Sequence, residues 1–198
     1  MKKSNVALIV LAVVAVFFVI GTIGILGWAK VTYNGMIGVQ EEASTALANV
    51  QSAYQRRADL IPNLVEVVKG YATHEKEALE GVVTARSKAT SITLNAENIK
   101  EYQQAQGELS NALGRLIAIG EAYPDLKANE NFRELQVQLE GTENRINVER
   151  NNFNKAVQAY NIKVRSFPNN LLAGFFGFET MDKFEAAAGS ENAPKVEF

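Results

Sequence analysis

Chemistry-bearing residues concentrate in two short stretches of this chain. The first is His74-Glu75-Lys76-Glu77, the single histidine beside two carboxylates. A zinc site on one helix face needs two imidazoles four residues apart, and this stretch supplies one. The chain has no cysteine, which removes thiolate nucleophiles, cysteine–zinc sites, disulfides and lipid acylation of cysteine together. A serine nucleophile needs a base and an orienting acid. His74 would be the sole imidazole for that role, and no GxSxG turn, Walker loop or GxGxxG loop occurs. The expectation is a protein that is not an enzyme, with no catalytic residue, no cofactor and no metal. His74 reads as an exposed residue in the first turn of a helix.

The second stretch is YQRRADLIPNLVEVV, Tyr54 to Val68. Around it, Met36, Val39, Ala43, Ala46, Val50, Ala53, Arg57, Leu60, Leu64, Val67 and Tyr71 step alternately by three and four. That spacing is a helix with one packing seam, and Arg57 is its single polar member. An unpaired charge in a seam is expensive, so Arg57 is expected to meet an acid. Glu149 occupies a seam position on a later helix. Arg57 lies 24 residues after Tyr33 and Glu149 lies 18 before Phe167, so on antiparallel neighbours their heights differ by roughly 9 Å. Glu149 is the first partner expected and Glu143 the second, in a pair that sets helix register. Arg56 and Asp59 fall on the wet face. Pro62 does not shift the phase, so a kink within one helix is expected there.

The elements that must position these residues are helices. Val6 to Ala29 contains no charge, and 24 helical residues reach roughly 36 Å, enough to cross a bilayer. A cleavable signal core is usually about half that length. Lys2, Lys3 and the amino terminus precede the segment, against Lys30 after it, so residues 1–5 are expected in the cytoplasm. A first helix of the soluble part runs from Tyr33 to about Lys69. Gly70 can close it, Thr73 can cap the next, and Glu75 falls in that helix's first turn. Leu79, Val82, Val83 and Ala89 form the apolar side of this shorter helix. Asn95 caps a third helix with the seam Tyr102, Gln106, Leu109, Leu113, Leu116, Gly120 and Tyr123. Pro124 ends it. A fourth starts after Asn129, with the seam Phe132, Leu135, Leu139, Thr142, Ile146, Glu149, Phe153, Ala156, Tyr160, Val164 and Phe167, and Pro168 ends it.

The expected fold is therefore all-α: a transmembrane helix at 6–29, then an up-and-down four-helix bundle over 30–185. The alternative joins the first two helices into a three-helix rod. Beyond Pro168, Leu171, Leu172, Phe175, Phe176 and Phe178 are dense enough to need a partner. Candidates are the bundle's own base, the bilayer surface or another subunit. Residues 186–198 read as a disordered tail. Residues 31–198 hold 17 basic and 22 acidic side chains, a net charge of −5, which argues against nucleic acid as a partner.

Four strings together are similar to one known family: QRRADLIPNLVEVVKGYATHE (Gln55 to Glu75), IGEAYPDLKANENF (Ile119 to Phe132), TENRI (Thr142 to Ile146) and FPNNLLAGFFGF (Phe167 to Phe178). The chain resembles the LemA family over about residues 30–185. The resemblance implies a bacterial, membrane-anchored, up-and-down four-helix bundle without an established catalytic function. Some relatives are linked to membrane shaping in magnetosome formation, and others are encoded near membrane proteases. The expected function is a scaffold that self-assembles at a membrane surface, in envelope organisation or membrane shaping. The alternative is an adaptor or regulator of a membrane protease or envelope-stress system. Expected partners are the lipid bilayer, further copies of the chain and a membrane protein. The expected location is the cell membrane, single-pass, with the bundle periplasmic or extracellular.

Overall fold

The computed structural model describes residues 3–185, with side-chain surroundings from Leu8 onward. The tail expected at 186–198 lies outside the described residues, as do residues 1 and 2 of the N-terminal segment. Six helices follow in order: α1 (Lys3–Tyr71), α2 (Lys76–Ser91), α3 (Ile99–Ala122), α4 (Pro124–Lys127), α5 (Glu130–Arg165) and α6 (Asn169–Phe176). Among the described residues there is no strand. The four long helices make the bundle, so the rod alternative fails at the turn after Tyr71. The Tyr123 hydroxyl at the end of α3 donates to Glu75 at 3.1 Å. Asn129 before α5 donates to the Tyr71 hydroxyl at 3.0 Å. The α1–α2 turn and the α3–α5 connection therefore share one end of the bundle.

The apolar stretch expected to be a separate anchor is continuous with the first bundle helix. α1 runs unbroken for 69 residues. Contacts group the chain into two compact units: residues 1–41 with 159–180, and residues 42–158 with the segment from 181. In the second unit, two buried apolar clusters stack along the helices. One holds Ile61, Leu64 and Val68 of α1 with Val82 of α2, Leu109 and Leu116 of α3, and Phe132 and Leu139 of α5. The other holds Ala43, Val50 and Tyr54 of α1 with Ile99 and Tyr102 of α3, Ile146 and Phe153 of α5, and Phe184. Gly120 lets α3 meet the Phe132 ring, which occupies the space a Cβ would need.

Long seams drift from a strict heptad. On α1, Met36, Ala43, Val50, Ala53 and Arg57 are buried as expected. Farther on, Ile61, Val68 and Ala72 are buried, while Tyr71 is 44% exposed. On α5, Val157 is buried, whereas Phe167, 81% exposed, lies past the helix end at Arg165. A straight helix gains about 20° per heptad over a 3.5-residue repeat, so after several heptads the buried residue is one position later. On the short α2, Val82 is buried and Val83, about 100° further round the helix, faces outward.

Caps also differ from expectation. Glu75 rather than Thr73 takes the N-cap position of α2, and Glu77 is the first-turn acid. Asn98 rather than Asn95 precedes α3. The two asparagines instead brace a turn: the Asn95 carboxamide accepts from the amides of Glu97 and Asn98, and Asn98 accepts from the Asn95 amide at 2.8 Å. Asn129 does cap α5, accepting from the Phe132 amide at 3.0 Å. Pro124 opens the one-turn helix α4 instead of leading into a plain loop.

At Pro62, α1 continues without an end. A proline has no N–H, so the carbonyl four residues earlier, on Ala58, loses its helical donor. Arg86 of α2 supplies one, its Nε donating to Ala58 O at 2.8 Å. The cost of the proline is thus offset by a tertiary contact that also fastens α2 to α1. Arg86→Ala should destabilise the protein by about 1–2 kcal/mol with Pro62 present. In a Pro62→Ala background, where residue 62 can serve Ala58 itself, the loss should be clearly smaller. Urea unfolding of the four full-length chains in detergent reads this coupling; additive losses would refute it.

Candidate functional site

Arg57 sits one turn beyond Ala53 and Tyr54 on α1 and is 3% exposed. Its guanidinium reaches two helices. Nη1 donates to Glu143 of α5 at 2.7 Å and to Ser110 Oγ of α3 at 3.0 Å. Nη2 donates to the Gln106 side-chain oxygen at 2.5 Å and to the Gln106 carbonyl at 3.4 Å. Gln106 and Ser110 lie one helical turn apart, so both point the same way. Ser110 in turn donates to the Gln106 carbonyl at 3.0 Å. Nε of Arg57 has no hydrogen-bond partner.

The acid is Glu143, not Glu149. Glu149 is buried, but Arg145 on its own helix donates to it at 2.6 Å, and Asn152 also donates to it, at 3.3 Å. Height decides the choice. Glu143 lies 24 residues before Phe167, the same count that separates Arg57 from Tyr33. Glu149 is six residues off level, about 9 Å along the axis. A long arginine can reach sideways to a flanking position more easily than it can climb that distance. Glu143 keeps 48% of its side chain exposed, so the pair is half wet.

Arg57 also lies over the Tyr54 ring, 5.2 Å from its centroid. Tyr54 meets Tyr102 of α3 edge to face at 5.2 Å. Burial pushes the Tyr54 hydroxyl up, against the lowering pull of Arg150 and Arg57. Burial, then the neighbouring Tyr54, push Tyr102 up to about 12. Beside Arg57 opens a cleft of about 230 Å³, floored by Leu113, Ile117 and Leu139. Its polar rim holds Arg57, Ser110, Gln136 and the carboxylates of Glu140 and Glu143. His74 is exposed, and among the described residues no three His, Cys, Asp or Glu side chains converge as a metal site.

The second candidate is the aromatic segment at α6. It follows the end of α5, and within this unit it returns to α1. Tyr33 of α1 packs edge-on against Phe176 at 4.8 Å and Phe178 at 5.6 Å. Tyr160 of α5 donates its hydroxyl to the Glu179 carbonyl at 2.7 Å. Gly177 takes φ +75°, which favours glycine, and lets the Phe178 amide bond back to Ala173 at 2.9 Å as the helix ends. The five residues singled out by sequence therefore divide. Leu172 and Phe178 are half-buried, Phe176 is 48% exposed against Tyr33, and Leu171 and Phe175 face outward. Phe167, assigned by sequence to the α5 seam, joins the outward set.

Tyr33 follows the uncharged run by four residues, a rise of about 6 Å. Along that run Leu11, Phe17, Phe18 and Ile23 are all exposed, and the helix is long and apolar enough to cross a membrane. The molecule is thus an all-α bundle protein built on one long apolar N-terminal helix. It belongs to the LemA family, whose model matches residues 46–198. The chain is similar to the magnetosome protein MamQ 2 of Paramagnetospirillum magneticum, with 27% identity over 90% of this chain and 72% of that protein. It is similar also to the magnetosome protein MamQ of Magnetospirillum gryphiswaldense, 26% identical over 79% of this chain and 66% of that one. Protein LemA of Metamycoplasma hominis is 26% identical over 87% and 78% of the two chains.

Two outcomes test the Arg57 node. Glu143→Ala strands a buried cation and should cost about 1–3 kcal/mol in urea unfolding, less than for a fully buried pair because the acid is half wet. Adding Arg57→Met should recover part of that loss; no recovery would show that the pair is not what Glu143 contributes. Tyr102, raised in the folded state, contributes stability that is full below pH 10 and lost as pH rises toward about 12. Tyr102→Phe should therefore flatten the alkaline fall in melting temperature between pH 10 and 12. An unchanged slope would refute the assignment.

Proposed function

We propose that this protein is a membrane-anchored, non-enzymatic scaffold that self-assembles at a membrane surface. The observation that carries the reading is the outward apolar set of Phe167, Leu171 and Phe175, in a segment packed through Phe176 on Tyr33, four residues past the uncharged run of α1. An apolar surface at that level matches the boundary between acyl chains and headgroups. Trp28, 37% exposed, suits the same zone. The lysines before the uncharged run favour a cytoplasmic N-terminus, with the bundle on the other side. The names of the relatives, magnetosome proteins among them, agree with a part in membrane organisation. Anchoring holds copies in one plane, where even weak lateral contacts become effective.

The chain's single tryptophan makes a direct test available. In a Trp28→Phe background, Phe175→Trp in the full chain should be strongly quenched by lipids brominated high on the acyl chain. Val137→Trp, on exposed α5 surface, should not be. Emission from the Phe175→Trp chain that is indifferent to the brominated lipid would overturn the membrane-surface reading.

A further inference from the structure

The long helices do not end together, and the mismatch creates a groove. The connection between α2 and α3 reaches α1 at Gln51, whose Nε2 donates to Leu94 O at 2.6 Å. α3 begins only at Ile99. Where it begins, the face of α5 around Phe153 needs another cover. Met181 to Glu185 supplies it. These residues have no secondary structure of their own, yet Phe184 is 4% exposed, edge-on to Phe153 at 5.5 Å.

The way the strap is held is specific. Asn154 of α5 accepts from the Phe184 amide and donates to the Phe184 carbonyl, both at 2.9 Å. Gln103 of α3 does the same for the next residue, accepting from the Glu185 amide at 3.2 Å and donating to its carbonyl at 3.0 Å. Arg150 donates to that carbonyl at 2.7 Å and lies 5.0 Å over the Phe184 ring. Lys100 meets the Glu185 carboxylate at 3.4 Å. Every main-chain polar group of Phe184 and Glu185 is thus bound by a bundle side chain. Two carboxamides imitate the edge of a sheet, and one ring pocket reads the sequence. Such a site recognises an extended Phe-Glu segment whichever chain brings it.

We propose that the groove beside Asn154 and Gln103 is a peptide-binding site. It holds the chain's own Met181–Glu185 in a single copy and takes the same segment from a second copy in trans. Exchange trades identical contacts, so it costs little once two copies are close. The strap breaks no helix or sheet when it leaves. Five extended residues reach about 17 Å from their point of departure. The inference rests on the anchoring proposed above for one thing, the confinement that raises effective concentration.

The test uses full-length chains, each with one introduced cysteine, in membrane vesicles. Lys100→Cys and Glu185→Cys replace exposed residues at the two ends of the contact. A short bis-maleimide can join these two variants only in trans. The mixed pair should give about tenfold more covalent heterodimer than Glu185→Cys mixed with Lys88→Cys, an exposed position on α2. Adding Phe184→Ala to the Glu185→Cys chain should abolish the excess. Asn154→Asp on the Lys100→Cys chain, which turns the donor facing the Phe184 carbonyl into an acceptor, should do the same without removing the ring. Heterodimer no greater than the control, or indifferent to both changes, overturns the proposal. Alkaline carbonate extraction of the same vesicles reads the anchor separately: protein that stays with the membrane but forms no heterodimer defeats strap exchange alone.

Discussion

The bundle is organised around one buried cation. Arg57 lies between two apolar clusters, and the residues at its level on the facing helices are polar: Gln106 and Ser110 on α3, Thr142 and Glu143 on α5. An arginine in that position needs hydrogen-bond acceptors, and Gln106, Ser110 and Glu143 supply them to its two terminal nitrogens. Leucines above and below would tolerate several registers. The polar layer thus joins α1, α3 and α5 through directional contacts that an apolar layer lacks. Its half-wet acid fits that account, since Glu143 stays near water while the cation is buried.

Two further features use the same logic of polar groups finding partners across helices. Pro62 frees a carbonyl in α1, and Arg86 on α2 takes it. α3 starts short, and Asn154 and Gln103 bind the main chain of a segment that fills the space. In each case a local departure from ideal helical structure is met by a side chain from elsewhere. Such points tie neighbouring elements together more specifically than apolar packing does. The α6 segment differs, because Phe175, though edge-on to Phe176, stays 82% exposed and Phe167 81% exposed.

Much of this was legible in the sequence. Alternating spacing of three and four marked α1, α3 and α5, because a packed helix must repeat its apolar face. Asn129 was recognisable as a cap because its carboxamide serves the first turn. Arg57 stood out as the one charge in a seam, and its need for an acid followed from the cost of an unpaired buried charge. The uncharged run from Val6 to Ala29 announced a span long enough for a bilayer.

What the sequence could not determine were the quantities that depend on how helices lie against each other. Glu149 sat in the seam and looked the better partner, but axial height selected Glu143. Tyr71 and Phe167 fitted a heptad, yet accumulated rotation favoured Ala72 over Tyr71, and α5 ended at Arg165, before Phe167. Arg86 showed no sign of its role, since its acceptor is 28 residues away and is a carbonyl that every residue has. The strap at Phe184 was invisible for the same reason: its partners read main chain, which has no sequence signature. Periodicity and charge cost act along one helix and are written in the chain; axial offset, rotation and main-chain recognition exist only between elements, and the tertiary structure alone decided them.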